Sequence, residues 1–389
     1  MVRRTHRLLI VILALAAGII LVLVLIWLGS KSRGPLSNML DRAGSMVTNV
    51  ENKIIIEKLS DSRKKKLSWL EPFLMQPDMF NKPKPLLLGV YDNLSAVSFE
   101  NMFNLEKSLN TLFPFIHIYT AWGSKPEEEF PGKQVRAIYE LGSVPVITWE
   151  PWLTDFSPEE FPELRKPELR DKGGLADIAN GKYDAYITAW AMEAKSMNKT
   201  LFIRLGHEMN DPYRYPWGPQ NNKPADYVAA WIHVHKIFDN VGARNIKWIW
   251  SPHPSYGWFD AYYPGDQYVD WVGVNILNYG TVAAWSKWWT FKEMFGSHYK
   301  DLVKYGKPIM ITEFGSLAVG GDRSKWFEES LASLPVDYPA VKSVLFFNYS
   351  SDQTTTQQAV DWTFLDDSVT VTSIERQINS WPDSLKTKN

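Results

Sequence analysis

The chain has 389 residues, 45% of them hydrophobic, and 42 basic against 43 acidic side chains leave a net charge of −1. That length holds one large domain with appendages, and the balanced charge argues against a nucleic-acid partner, which calls for a basic face. With no cysteine there is neither a disulfide framework nor a thiolate metal site.

Residues 1–7 form a basic tip (Arg3, Arg4, His6, Arg7), and Leu8 to Leu28 is an unbroken run of apolar or small residues. At 1.5 Å per residue that run is roughly 31 Å long as a helix, enough to cross a bilayer. It is longer than the apolar stretch of a cleaved secretory signal, so it reads as an uncleaved single-pass anchor with the remainder outside the cytoplasm. Residues 29–83 read as a stalk: Gly34-Pro35 breaks the anchor, spaced apolar residues from Leu36 onward suit a helix, and Arg63-Lys64-Lys65-Lys66 reads as a solvated face. Trp69 to Phe80 is expected to pack onto the edge of the domain that follows.

From 84 to 382 strand-like and helix-like stretches alternate. The strand runs are Leu86–Tyr91, Phe115–Thr120, Val144–Trp149, Leu201–His207, Ile246–Trp250, Val269–Asn275, Pro308–Glu313 and Ser343–Asn348. Helical patterns separate them, except between Trp250 and Val269, where little helix is legible. Short continuous apolar strands joined by helices indicate a parallel sheet covered on both faces. Eight of them over some 300 residues fit a (β/α)8 TIM barrel. No glycine-rich phosphate fingerprint follows the first strand, which counts against a dinucleotide fold.

Barrel active sites form at the C-terminal ends of the strands. Those ends carry Asp92, Trp122, Trp149-Glu150-Pro151-Trp152, His207-Glu208, His253, Asn275 to Tyr279, Glu313 and Asn348-Tyr349. A carboxylate at the end of an apolar strand is costly unless paired. Glu208 and Glu313, ending the fourth and seventh strands, therefore stand out as a pair. Two carboxyls ~5–5.5 Å apart, one protonated and one ionised, split a glycosidic bond with retention; the proximity of the two raises the pKa of one of them. Glu208 is assigned as acid/base and Glu313 as nucleophile. Arg204, four residues earlier on the same strand, would share a face with Glu208 by alternation and hold a nearby carboxylate ionised. His207 would shape the surroundings of Glu208, and Tyr279 would hydrogen-bond the nucleophile.

A metal hydrolase is disfavoured. His233 and His235 lie two apart on a helix and diverge, and His207-Glu208 lacks the second histidine of the HExxH spacing.

Arg204-Leu-Gly-His-Glu-Met-Asn210, followed by Tyr215-Pro-Trp-Gly218, resembles the clan A glycoside hydrolases and, within them, family 26; Ile311-Thr-Glu-Phe-Gly315 and Val272-Gly-Val-Asn-Ile-Leu-Asn-Tyr279 are similar to that family's seventh and sixth strands. The resemblance covers roughly residues 85–382. It implies a retaining endo-β-glycanase without cofactor, acting on β-1,4-mannan or mixed-linkage β-glucan, with Trp149 and Trp152 lining the negative subsites. Trp122, Trp217 and Asn210 join the expected sugar-binding set. The segment Asp211-Pro-Tyr-Arg-Tyr215 and the tryptophan-free end Phe347-Asn348-Tyr349 depart from mannanases. A tethered polysaccharide-binding or exopolysaccharide-processing accessory protein, and a transglycosylase on the same barrel, are the alternatives; the chain is expected to be a monomer.

Overall fold

The computed structural model describes residue 56 and residues 60–95, 98–283, 286–353 and 358–386. The apolar run 8–28, the tip before it and most of the stalk lie outside the described residues. Among the described residues, no helix is long and apolar enough to cross a membrane.

Eight parallel strands close into a barrel in chain order: β1 (Leu87–Asp92), β2 (Phe115–Ala121), β3 (Val144–Glu150), β4 (Leu201–Leu205), β5 (Ile246–Trp250), β6 (Trp271–Asn278), β7 (Ile309–Ser316) and β8 (Val341–Asn348), with β8 pairing back onto β1. Almost every strand residue is buried, as strands covered on both faces require. The surrounding helices are α1 (Glu100–Ser108), α2 (Gly132–Glu140), α3 (Asp184–Ser196), α4 (Pro224–Val241), α5 (Ser297–Val303), α6 (Arg323–Asp337) and α7 (Ser368–Ser380). Their ends follow local chemistry. Pro224 opens α4 and Gly242, at φ +82°, closes it, while the Asp322 and Asp367 side chains cap α6 and α7. Between β5 and β6 there is only the short helix Phe259–Tyr262 flanked by 3-10 turns, in keeping with the weak helical pattern of that stretch.

Two strands differ from expectation in ways that shape the site. β4 stops at Leu205, because Gly206 (φ +47°) and Glu208 (φ +52°) turn the chain. Glu208 therefore sits in a turn above the strand, and alternation from Arg204 does not place it. β7 carries one residue more than β6: Val274 and Asn275 pair with Ile311 and Glu313, skipping Thr312; against β8 the register shifts twice, between Ile309 and Met310 and again between Ile311 and Phe314. A bulge of this kind re-aims side chains beside a site.

The segment before β1 caps the N-terminal end of the barrel. Phe80 packs under the strand starts, with ring centroids 5.6 Å from Phe115 and 5.0 Å from Phe202. Lys247 at the start of β5 donates to Asp78 and Asn81, and Thr200 donates to the Leu74 carbonyl. Trp69 to Phe80 thus packs onto the domain as expected. Arg63 departs from the solvated-face reading. It is buried, donates to Glu106 of α1 and to the Phe113 and Leu141 carbonyls, and only Lys64, Lys65 and Lys66 stay exposed.

Candidate active site

The C-terminal mouth of the barrel is built around Arg204. Its guanidinium, fully buried, donates to Thr148 (2.7 Å), Asn275 (2.7 Å), Thr312 (2.9 Å), Tyr119 (2.9 Å) and Glu313 (2.7 Å). Thr312 and Glu313 are consecutive, yet both reach this one cation. A regular strand would point them to opposite faces, and the bulge in β7 removes that conflict. Glu313 Oε1 accepts from both Arg204 and the Tyr119 hydroxyl (2.5 Å), and Oε2 has no hydrogen-bond partner among the described residues. The phenol on Glu313 is thus Tyr119 of β2, not Tyr279, whose ring packs edge-on against Trp362 at 4.7 Å.

Glu208 has the opposite surroundings. It is buried, Oε1 accepts from Asn275 Nδ2 (2.9 Å), and Oε2 is buried without a partner among the described residues. Burial, reinforced by the negative charge of Glu313, pushes its carboxyl up to about 6, against the pull of Arg214 and Asn275. Asn275 bridges the two carboxylates through Arg204. His207, stripped of water and near Arg204, is held well below its usual pKa and so is neutral; its Nε2 meets Tyr215 Oη at 2.9 Å.

Several residues expected to touch sugar serve the packing instead. Trp122 and Trp149 are fully buried, 4.6 Å apart, and Trp149 stacks on Trp190 of α3 at 4.2 Å. The reason is strand alternation: Thr148 and Glu150 face inward to Arg204 and the mouth, so Trp149 between them faces the helices. Trp217 is buried, donates to the His207 carbonyl and stacks on Tyr215 at 4.6 Å. Asn210 spends its whole amide on the loop after β5, donating to the His253 and Gly257 carbonyls (2.9 Å each) and accepting from His253 N–H (2.7 Å). Trp152 alone of the expected tryptophans is half-buried at the mouth, where its indole donates to Glu150.

Sequence reasoning passed over Tyr119 and Arg214; it placed Glu150 and His253 at strand ends without a chemical role, and Asp211 only within the segment that departs from mannanases. Burial raises Glu150 to about 7, opposed first by the Trp152 hydrogen bond and then by Arg204. His117 and Tyr119, polar residues alternating inside the apolar β2, were the available signal for Tyr119. Glu208, Asp211 and His253 bring potential ligand atoms within 4.8 Å of one another. His233 and His235 go separate ways, to Asp184 and Asp239.

A (β/α)8 barrel with two carboxylates in contrasting surroundings at the ends of strands four and seven has the layout of the clan A glycoside hydrolases. Residues 170–329, spanning both glutamates, match the profile of glycosyl hydrolase family 26, and the chain is a relative of that family. It is 34% identical over 225 residues to endoglucanase H of Acetivibrio thermocellus, covering 56% of this chain and 23% of that protein. It is 21% identical to a mannan endo-1,4-β-mannosidase of Bacillus subtilis, covering 52% of this chain and 58% of the other. The chain thus spans under a quarter of the first relative and just over half of the second. The solved β-mannanase of family 26 from Bacteroides ovatus shares the fold, with a TM-score of 0.55 at 15% identity, over 82% of this chain and 93% of that one.

Proposed function

We propose that the chain is a retaining endo-β-glycanase. Glu208, protonated through burial, gives its proton to the glycosidic oxygen while Glu313 attacks the anomeric carbon; water, deprotonated by the Glu208 carboxylate, then releases the glycosyl-enzyme. One observation carries this: one carboxyl holds an unpartnered buried oxygen, while the other is anchored by a buried guanidinium and a phenol. Opposed environments for two neighbouring carboxyls are how such sites divide acid and nucleophile. The identity to an endoglucanase, 34% against 21% to a mannosidase, favours a β-glucan, with β-1,4-mannan as the second choice. The 21-residue apolar run supports single-pass anchoring with the barrel outside the cytoplasm; recovery of the full chain in the soluble fraction of gently broken cells would refute that part.

The test offers lichenan, galactomannan, curdlan, cellulose and β-xylan to the protein and follows reducing ends. Lichenan should be cut, and Glu208→Gln and Glu313→Gln should each lower the rate by several orders of magnitude. Cleavage that survives both substitutions would refute the mechanism. Retardation in a polysaccharide gel, with no cleavage of any polymer, would favour the tethered binding protein.

A further inference from the structure

The underside of the barrel, where the strands begin, carries a groove whose lining the fold does not account for. The C-terminal ends of α3 and α4, with the turns into β4 and β5, enclose an open cavity of about 660 Å³. Met192, Lys195, Ser196, Asn198 and Arg244 line it, and among the described residues no carboxylate does. Glu193 and Asp239, the acids of those helix ends, stay out of the lining, and Asp239 faces His235 at 3.1 Å. Lys195 gives one N–H to the Val241 carbonyl (2.9 Å), a favourable end for α4. That use explains the lysine and leaves Arg244 over. Arg244 is exposed and, among the described residues, donates no hydrogen bond and forms no ion pair. Met192 is 59% exposed, although α3 buries Ile187, Trp190, Ala191 and Ala194 on its other face. Met75 of the cap is 55% exposed as well. It belongs to the same surface, because the Leu74 carbonyl beside it accepts from Thr200, and Asn245 in the groove donates to the Lys199 carbonyl.

Charge sets the two ends of the barrel apart. Lys64, Lys65 and Lys66 stand exposed on the cap, and Lys64 packs against Gly142 just before β3. Exposed Glu127, Glu129, Glu159, Glu160 and Glu163 stand instead in the loops after β2 and β3, on the side of the cleft. A body with this polarity approaches a negatively charged plane underside first. The groove matches a plane that presents phosphates above apolar chains. Arg244 and Lys195 suit phosphate oxygens, Ser196 and Asn198 suit the neighbouring ester oxygens, and an exposed methionine gains by reaching the acyl boundary. The described chain begins at this face, and the apolar run 8–28 lies upstream of it in the sequence. We propose that the groove between the ends of α3 and α4 binds the headgroup of an anionic phospholipid. The barrel is thereby seated underside-down on a membrane, with its cleft turned away from the lipid. This goes beyond single-pass anchoring and depends neither on it nor on the glycanase reading, since every group invoked belongs to the barrel or its cap.

The experiment mixes the full chain with vesicles of phosphatidylcholine alone or of phosphatidylcholine and phosphatidylglycerol in equal parts. Flotation is followed first. A membrane-impermeant acylating reagent then reads exposure, as the ratio of labelling at Lys195 to labelling at Lys166 on the cleft side. On the mixed vesicles that ratio should fall about fivefold or more, the weight of one basic residue at an anionic surface, and high salt should restore it. Arg244→Gln combined with Met192→Ser changes two exposed side chains. It should keep the wild-type melting temperature and return the ratio to its value on the neutral vesicles. Equal ratios on both vesicles overturn the proposal, and so does a fall that persists in the double variant. Slower labelling of Lys195 by inorganic phosphate alone, to the same extent, also overturns it in favour of a site for free phosphate. Failure of the anchor looks different: the chain then does not float with neutral vesicles. Flotation with the mixed vesicles, lost in the double variant, still supports the groove, and flotation with neither refutes it.

Discussion

At the scale of the residue, Glu208 sets the pH behaviour. Its carboxyl is raised from an ordinary 4.5 to about 6, chiefly by burial. The fold thus favours the protonated form; that contribution is complete below about pH 4.5 and is lost as pH rises through about 6. Glu208→Gln cannot ionise, so relative to wild type it should gain stability above pH 6, by up to ~2 kcal/mol, and gain little at pH 4. Denaturant titrations at pH 4 and pH 8 check this, and a gain of equal size at both would contradict it. Hydrolysis by the wild type should decline on the alkaline side of about pH 6, as the acid form disappears. Tyr119→Phe removes a hydroxyl that bonds both Glu313 and Arg204. It should depress kcat more than it raises KM, by roughly tenfold to a hundredfold if the bond matters most in the transition state; steady-state kinetics on one oligosaccharide decides.

At the scale of the element, the barrel was legible because eight apolar runs alternate with helical patterns, and even the near-absence of helix between Trp250 and Val269 could be read. The two glutamates were legible because a carboxylate has no packing use at the end of such a run. What surrounds them was less so. Trp122 and Trp149 look identical to groove tryptophans in a sequence; which face they take depends on the pleat phase of β2 and β3, fixed only by Thr148 reaching Arg204. Of the neighbours of Glu313, Arg204 was expected beside a carboxylate and is there, whereas Tyr119 was not foreseen, and the extra residue Thr312 is one that alternation cannot anticipate. Asn210 was read as a sugar ligand, since a sequence does not reveal that a loop 43 residues away claims both ends of its amide. Asn210→Ala strands the buried partners of that amide and should cost ~1–3 kcal/mol. It should also loosen the loop 253–258, visible as faster amide exchange there. Unchanged exchange would show that the clamp is dispensable.

At the scale of the whole molecule, the segment before β1 is a working part of the fold. Leu67, Leu70, Leu74 and Phe80 are buried beneath the barrel, and the ion pair of Arg63 with Glu106 ties that segment to α1. A fragment beginning at residue 84, where the sequence pattern first suggests a domain, would open this end to water. Phe80→Ala alone should cost ~3–5 kcal/mol as a large-to-small change in a core. A fragment beginning at residue 56 should unfold cooperatively at a distinctly higher denaturant concentration than one beginning at 84. Equal midpoints would mean that the cap contributes nothing.

The same cap fixes a direction. Chain enters the barrel under the strand starts, and Leu86 N–H bonds back to the Leu385 carbonyl, so the last described turns return to that pole as well. Both covalent leads therefore leave from the pole opposite the carboxylates. Among the described residues neither lead crosses the mouth: the barrel is held from one pole and worked from the other, as a tool is gripped at the end away from its edge.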